Sequence, residues 1–380
     1  MERETTNRRD FVRAAGAAAA AWTILKPGSV RGTPANSKVQ LGLLGAGRRG
    51  TNIGTYFRGS DQVEMTALAD IYDDQLSSAK EKLSLPDVQT YKSAKAILDA
   101  DIDAIYIATP PYVHPEHFEL AVESGKHILL EKPVAVDPAG IRRVLAAGRK
   151  VKPGQVVMVD FQQRYGRDYR EAHQRVQDGA IGKIGLIRTA WIGGDLPRRS
   201  GHPESEEKVL NWLFYKERSG DIIVEQNVHN IDVAHWFAGV HPVAAMGYSH
   251  RAFRTDIGDI ADTLSVSFKL PDGRVYSHSG AQLAARAAND VGEWFFGDKG
   301  AIHTSRQGYE LFPADGQPII VDTNYNLNQD VVDHFVKAVQ GEVPAPNDTA
   351  WAAESTLVAI MARLSMEKGR EVTFDEALNM

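Results

Sequence analysis

The chain has no cysteine among its 380 residues, which excludes disulfides, thiolate catalysis and a lipid-modified cysteine anchor. Beyond its first few dozen residues it has no apolar run of the length a membrane-spanning helix needs. It also lacks a long basic run: Lys and Arg total 43 against 49 Asp and Glu, a net charge of −6, so nucleic acid is not expected as a main partner. The 12 histidines show no metal-ligand spacing. His114-Pro-Glu-His117 is not a His-Glu-x-x-His arrangement, and His229 and His235 do not share a helical face. No metal is expected.

What is present begins with a leader. Thr6-Asn7-Arg8-Arg9-Asp10-Phe11-Val12-Arg13 combines a charged start, paired arginines and an apolar pair after one spacer residue, the marks of a twin-arginine signal. A weakly apolar stretch from Ala14 to Leu25 follows, and Thr33-Pro34-Ala35 before Asn36 offers a small-x-small cleavage site. The competing reading is an Ala-rich amphipathic helix with two solvated arginines. The order of charge, apolar stretch and cleavage site favours export, to the periplasm or otherwise beyond the inner membrane, with residues 1–35 removed and no membrane attachment afterwards. About 345 residues then remain, enough for two domains.

From Lys38, short β-rich runs alternate with helical stretches, the pattern of a parallel sheet covered on both faces. The pattern predicts strands at Val39–Leu44, Val63–Ala69, Ala104–Ala108, His127–Glu131 and Val156–Asp160. Between them it predicts helices at Arg49–Phe57, Asp73–Leu83, Ala94–Leu98, Pro115–Ser124 and Pro138–Lys150. Residues 36–160 are therefore expected to form a doubly wound α/β domain. After residue 160 the pattern changes to a helix at Tyr169–Asp178, a strand at Lys183–Trp191, a polar loop with one short helix from Gly193 to Gly220, and a helix from about Asn227 to Phe237. Strand-like runs then follow one another at Val243–His250, Asp262–Lys269, Arg274–Gln282, Gly292–Gly297 and Ala301–Ser305. Turn signals such as Pro271-Asp272-Gly273 join them, so residues 161–380 are expected to form a second α/β domain with a mostly antiparallel sheet. Two closing helices, about Asn328–Gln340 and Thr349–Lys368, are expected to cover one face of it.

Gly45-Ala-Gly-Arg-Arg-Gly50 directly follows the first strand and opens a helix, and Asp70 stands twenty residues on, at the end of the next strand. A lone Gly-x-Gly-x-x-Gly would mark only a tight turn. In this setting it is a dinucleotide fingerprint: Gly45 for the turn, Gly47 for close approach of the backbone to a pyrophosphate, Gly50 for helix–strand packing. Asp70 can accept both ribose hydroxyls and would repel a 2′-phosphate, which favours NAD over NADP. Arg48 and Arg49 temper that preference; each is either solvated on the first helical turn or set against adenine or phosphate.

The motifs Ala108-Thr109-Pro110-Pro111-Tyr112-Val113-His114, Glu131-Lys132-Pro133, Arg164-Tyr165, Gly182-Lys183-Ile184-Gly185 and Gly220 to Asp232 follow in order. In that order and spacing the chain resembles the Gfo/Idh/MocA oxidoreductases, the group containing glucose-fructose oxidoreductase and inositol dehydrogenase. The resemblance implies a Rossmann domain, then an α/β domain with a large open sheet, with nicotinamide between them and homo-oligomers formed through the sheet. It implies that Glu131 and Lys132 lie close to nicotinamide and substrate hydroxyl, that the Lys132–Pro133 bond is cis, and that Thr109, Pro110 and His114 border the nicotinamide end. His229 and Asp232 match the family's Asp-x-Gly-x-His-x-x-Asp pattern, whereas Glu225 replaces its aspartate and Asn227 its glycine.

Oxidising a secondary alcohol needs a base within reach of the hydroxyl proton. His229 has the intrinsic pKa for that role, with Lys132 as a positioning cation; the reverse assignment, with a desolvated Lys132 as base, is open. Glu225 is a further catalytic candidate. Arg164 and Tyr165 are candidates to hydrogen-bond a polyhydroxylated ligand, with a salt-bridge role as the alternative, and Asp232 is either a ligand contact or a carboxylate favoured at a helix start. Trp212 either stacks on a sugar face or anchors its loop. The expected function is NAD-dependent oxidoreduction of a carbohydrate. Glycoside cleavage through transient oxidation, or sugar binding without turnover, are the alternatives.

Overall fold

The computed structural model, which describes residues 38–282 and 289–380, begins with strand β1 (Val39–Leu44), almost wholly buried as a strand covered on both faces must be. The leader, with Arg8-Arg9 and the Thr33-Pro34-Ala35 site, lies outside the described residues. With β2 (Val63–Ala69), β3 (Gln89–Tyr91), β4 (Ala104–Ile107), β5 (His127–Leu130) and β6 (Val157–Val159), β1 forms a parallel sheet in the order β3-β2-β1-β4-β5-β6. This is the doubly wound arrangement, whose strand order reverses beside β1 and opens a crevice at the carboxyl ends of the strands.

Five helices connect these strands: α1 (Arg48–Arg58), α2 (Asp73–Lys82), α3 (Ala94–Leu98), α4 (His114–Ser124) and α5 (Pro138–Gly148). Each presents an apolar stripe to the sheet; α1 buries Gly50, Ile53, Gly54 and Phe57 at helical spacing. The start of α5 is set by Asp137, whose Oδ1 accepts from the Gly140 N–H at 2.7 Å, with Pro138 at the first helical position.

The second sheet is larger. Helix α6 (Arg167–Gln177) leads into β7 (Ile184–Gly193), and after α7 (Val228–Ala238) come β8 (Ala244–His250), β9 (Thr263–Lys269), β10 (Val275–Gln282), β11 (Asp290–Gly297), β12 (Gly300–Ser305), β13 (Gly308–Pro313), β14 (Ile319–Asp322) and, near the C-terminus, β15 (Val372–Thr373). The order is β14-β13-β12-β11-β7-β10-β9-β8-β15. Only β7 and β10 pair in parallel; the remaining pairs are antiparallel.

Two expectations need correction. The segment from Gly193 to Gly220 holds two short helices, Glu207–Leu210 and Lys216–Ser219, and two 3-10 turns, Glu204–Glu206 and Trp212–Phe214, elements too brief to leave a readable periodicity. Of the closing helices α8 (Leu327–Gln340) and α9 (Thr349–Lys368), only α9 packs against the second sheet, with its other side on α5. Helix α8 lies on α1 instead. Its stripe Val331, Val332, Phe335 and Val336 joins Ile53 and Phe57 of α1 with Tyr106, Leu129 and Met158 of the first sheet. The reason is coverage: a helix with an apolar stripe settles where exposed apolar surface is left, and α1 and α2 do not cover the outer side of β4–β6.

Phe335 meets Phe57 edge-on, ring centroids 6.2 Å apart. Truncating a buried Phe costs about 3–5 kcal/mol, so Phe335→Ala should lower the unfolding free energy by that amount in urea titration. A loss below about 1 kcal/mol, typical of surface sites, would show that α8 is dispensable to the first sheet.

Candidate active site

The loop between β1 and α1 is built from glycines with distinct duties. Gly45 has φ +98°, and a Cβ there would stand 2.6 Å from the Ala108 carbonyl; at Gly50 a Cβ would meet the Gly45 oxygen at 2.0 Å. Gly47 is different, because a Cβ added there meets nothing within 4 Å. It is the N-cap of α1, with no side chain capping it and no acidic residue in the first turn, so the free N–H groups and the positive end of the helix face open space. Asp70, just beyond β2, is held by two backbone donors, Ala46 N–H to Oδ2 at 2.9 Å and Tyr72 N–H to Oδ1 at 3.0 Å. Burial pushes its carboxyl up, against the pull of those two bonds. Each oxygen keeps a lone pair for a ribose hydroxyl. Loop, helix end and carboxylate thus fit a dinucleotide such as NAD, with the pyrophosphate over Gly47.

Arg48 is exposed, but Arg49 turns inward. Its guanidinium pairs with Glu131 and Asp160, each at 2.6 Å, and donates to Asn328 Oδ1 at 3.1 Å. Tyr106 donates to Glu131 at 2.7 Å. The two buried carboxyls share this setting unequally. Burial raises Asp160, with the adjacent Glu131 charge adding to it; burial also works on Glu131, but Arg49 and the groups around it hold that carboxyl below its ordinary value. The resemblance puts Glu131 near the nicotinamide, and the sequence leaves Arg49 either solvated or set against adenine or phosphate; in the structure their charged groups face each other. Asp160 went unnoticed; a carboxylate closing an otherwise apolar parallel strand was the available signal.

Lys132 follows Glu131, and the Lys132–Pro133 peptide is cis. Lys132 Nζ donates to the Glu225 backbone oxygen at 2.5 Å and to Glu225 Oε1 at 3.2 Å. The longer side chain that replaces the family aspartate therefore reaches the lysine. Asn227, at the family's glycine position, is fully buried beside Gly280, where a Cβ would lie 2.2 Å from the Asn227 Oδ1. A glycine on β10 makes room for the larger residue. His114 is also fully buried, with ring nitrogens 2.7 Å from the Pro133 and Thr109 carbonyl oxygens. It brackets the Thr109-Pro110 loop to the Lys132 loop, while Thr109 Oγ1 meets His117 Nδ1 at 2.9 Å.

His229 opens α7. Its ring stacks on Trp191 of β7 at 5.7 Å and meets Phe161 edge-on at 6.1 Å. Nδ1 is buried and without a hydrogen-bond partner among the described residues. Burial, followed by the positive charges of Lys132, Arg306 and Arg49, holds the imidazole well below its usual pKa, so it is neutral. Asp232, one turn on, accepts from Arg164 in a fork at 2.9–3.1 Å and from Ser355 Oγ at 2.7 Å. Arg164 also lies over the Trp351 ring at 3.9 Å. Tyr165 donates to Asp348 and its ring rests on His334 at 5.1 Å. Trp212 sits half-buried in its 3-10 turn. The chain thus gathers Lys132, Glu225 and His229 at the crevice, whereas Arg164, Tyr165 and Asp232 are engaged in joining elements. Trp191 and Arg306 were missed by sequence reasoning, since neither belongs to a motif. Among the described residues no three His, Asp or Glu side chains gather as a metal site.

Residues 39–161 match the family model described as Gfo/Idh/MocA, an oxidoreductase family with an NAD-binding Rossmann fold, and residues 169–303 match the Gfo/Idh/MocA C-terminal domain. The chain belongs to this family. Among the relatives of this Gfo/Idh/MocA protein, inositol 2-dehydrogenase of Rhizobium meliloti is 26% identical over 87% of the chain and 98% of that protein. D-glucoside 3-dehydrogenase of Escherichia coli is 24% identical over 81% and 89%. The fold is shared with myo-inositol 2-dehydrogenase of Lactobacillus plantarum, at TM-score 0.71, 24% identity and coverage of 88% and 99%. It is shared also with a levoglucosan dehydrogenase in complex with NADH and levoglucosan, at TM-score 0.73, 19% identity and coverage of 89% and 99%.

The two glycines make a paired test of the NAD-binding loop. Gly47→Ala should change stability by no more than about 1 kcal/mol, the cost of a poorer N-cap, and weaken NADH binding about tenfold or more by blocking backbone approach. Gly50→Ala should destabilise the fold itself. Fluorescence titration with NADH and thermal melting read both; a Gly47→Ala protein with unchanged NADH affinity would remove the pyrophosphate from that position.

Proposed function

We propose that the protein is an exported NAD-dependent dehydrogenase of a secondary hydroxyl on a sugar, polyol or sugar derivative, carrying its cofactor as a resident group. Residues 36–160 would hold the cofactor and 161–380 the carbohydrate. The observation that carries this reading is the convergence of Lys132, Glu225 and His229 beside a loop that fits a dinucleotide. Relatives named for inositol and D-glucoside favour a cyclic, polyhydroxylated substrate. Asp70 favours NAD over NADP, since a 2′-phosphate would meet a carboxylate. The half-buried Trp294 and Phe296 and the exposed Leu186 and Val275 on the second sheet support assembly of copies through that face.

Bound NAD supplies the acceptor for the hydride leaving the carbinol carbon. The neutral His229 accepts the hydroxyl proton, and the Lys132 ammonium, held by Glu225, stabilises the negative charge growing on the oxygen. The product is a ketone. The burial and cations that keep His229 neutral also make its acquired proton quick to leave.

The leader supports export by the twin-arginine route, which carries folded proteins. Outside the cytoplasm no nucleotide pool exchanges with the site, so the cofactor would be reset in place. A second sugar can do this. So can a redox-neutral cycle, in which the transient ketone acidifies the neighbouring C–H and a glycosidic bond leaves by elimination; the D-glucoside relative favours keeping that second reading.

Lys132→Ala should lower kcat about 10²- to 10⁴-fold while retaining NADH affinity. The pH profile of wild-type turnover should show no limb from His229 near pH 6.5, because the depressed pKa keeps the ring neutral there; a limb near 6.5 that vanishes in His229→Asn would contradict this. Denaturing the purified protein should release one nicotinamide nucleotide per chain, seen by absorbance and mass. Protein that contains none and binds NADH only weakly would sink the resident-cofactor reading. Glycosides incubated without added NAD separate the two cycles by release, or not, of the aglycone.

A further inference from the structure

Arg306 lies in the two-residue turn between β12 and β13, outside every motif of the chain. Its guanidinium lies over the Trp191 ring at 5.0 Å, and Trp191 in turn stacks on His229. The cation is therefore one indole away from His229, and its charge ranks next after that of Lys132 among those acting on the imidazole.

The other cations around the crevice are matched. Lys132 has Glu225, Arg49 has Glu131 and Asp160, and Arg164 has Asp232. Arg306 makes no ion pair or hydrogen bond among the described residues, and its Nε is buried without a partner. The buried carboxyl of Glu293 is near enough to act on it electrostatically but is already engaged by Thr304 at 2.7 Å, Asn230 at 2.6 Å and Tyr169 at 3.3 Å. A half-buried guanidinium without an acceptor is costly unless something supplies one. Its planar fork matches a carboxylate, and the Trp191 face fixes the plane in which the fork is offered.

We propose that Arg306 is a specificity residue that receives a carboxylate of the substrate, so that the preferred substrate is an acidic sugar, a hexuronate or its glycoside. For turnover this rests on the dehydrogenase reading; for binding it does not.

The test is calorimetric titration of the NADH-loaded protein at low salt with matched pairs, D-glucuronate against D-glucose and D-galacturonate against D-galactose, and with D-glucose 6-phosphate. Hydrogen bonds to charged groups correspond to a preference of roughly 10- to 100-fold for the uronate. Arg306→Gln should collapse that ratio towards one, and Arg306→Lys, which keeps the charge and loses the fork, should restore part of it. Thermal melts of each variant separate a loss of fold from a loss of preference. Equal binding of acid and neutral sugar by the wild type, preference for the phosphate, or no sugar bound at all would overturn the assignment. So would an Arg306→Gln variant whose main defect is in NADH affinity, since the arginine would then serve the cofactor. Hexuronate bound through Arg306 with no hydride transfer would keep this inference and sink the dehydrogenase reading; turnover of neutral sugars without acid preference would do the reverse.

Discussion

The charge cluster in which the half-buried Arg49 meets the buried carboxyls of Glu131 and Asp160 is the constraint around which the rest of the site is arranged. One guanidinium ties the first turn of α1 to the ends of β5 and β6, and through Asn328 to the start of α8. A buried charge is tolerable only when its partners are in place, and removing one partner leaves the others uncompensated. The four elements therefore meet at one set of contacts. The open N-terminus of α1 and Lys132, the residue after Glu131, inherit that position. Anchoring Glu131 fixes the backbone from which Lys132 extends, and Glu225 holds the far end of the lysine.

A second layer of ties works the same way. Arg164 and Asp232 neutralise each other while joining the segment after β6 to α7, with Ser355 of α9 as a third member. Tyr165 and Asp348 connect that same segment to the start of α9, and Asp348 also accepts from the Val159 N–H at 3.0 Å. Arg164, Tyr165 and Asp232 carry the polar chemistry expected of a sugar site, which makes them substrate candidates in the sequence, with a salt-bridge or helix-start role as the alternative. The structure uses it to lock α7, and hence His229, against the first sheet. Residue type alone does not distinguish the two uses, because a fork of hydrogen bonds to a carboxylate serves either a ligand or a helix.

What was legible in the sequence follows from where burial is two-sided. Val39–Leu44 and the middle of Thr349–Lys368 are surrounded by protein, so their apolar runs are long and sharply bounded. The edge strands Gln89–Tyr91 and Ile319–Asp322 are largely exposed, and Val372–Thr373 is two residues long. Such strands exist because a neighbour offers its free edge, which no local pattern records. The glycine loop was legible because its demands are on the backbone: a positive φ at Gly45 and a near contact at Gly50 admit no other residue. Trp191 and Arg306 were not, because each acquires its role from a residue far away in the chain. The position of α8 belongs with them, since an apolar stripe specifies that a surface is covered and not which one.

The setting of His229 bears on how the proposed cycle closes. An imidazole that takes a proton on one nitrogen usually passes charge on through a hydrogen bond at the other, as in triads where a carboxylate stands behind the ring. Behind His229 Nδ1 there is neither carboxylate nor carbonyl among the described residues, and the ring is flanked by Trp191 and Phe161. The nearby charges are cations, which oppose a lasting imidazolium. A proton accepted there has no relay behind it and is driven back towards the crevice. That suits a cycle in which the proton returns to bound carbohydrate, whether to a second sugar being reduced or to a leaving glycosidic oxygen, better than one that discharges it to bulk solvent at each turnover. It is the same closure that a resident cofactor, as proposed, would impose on the hydride.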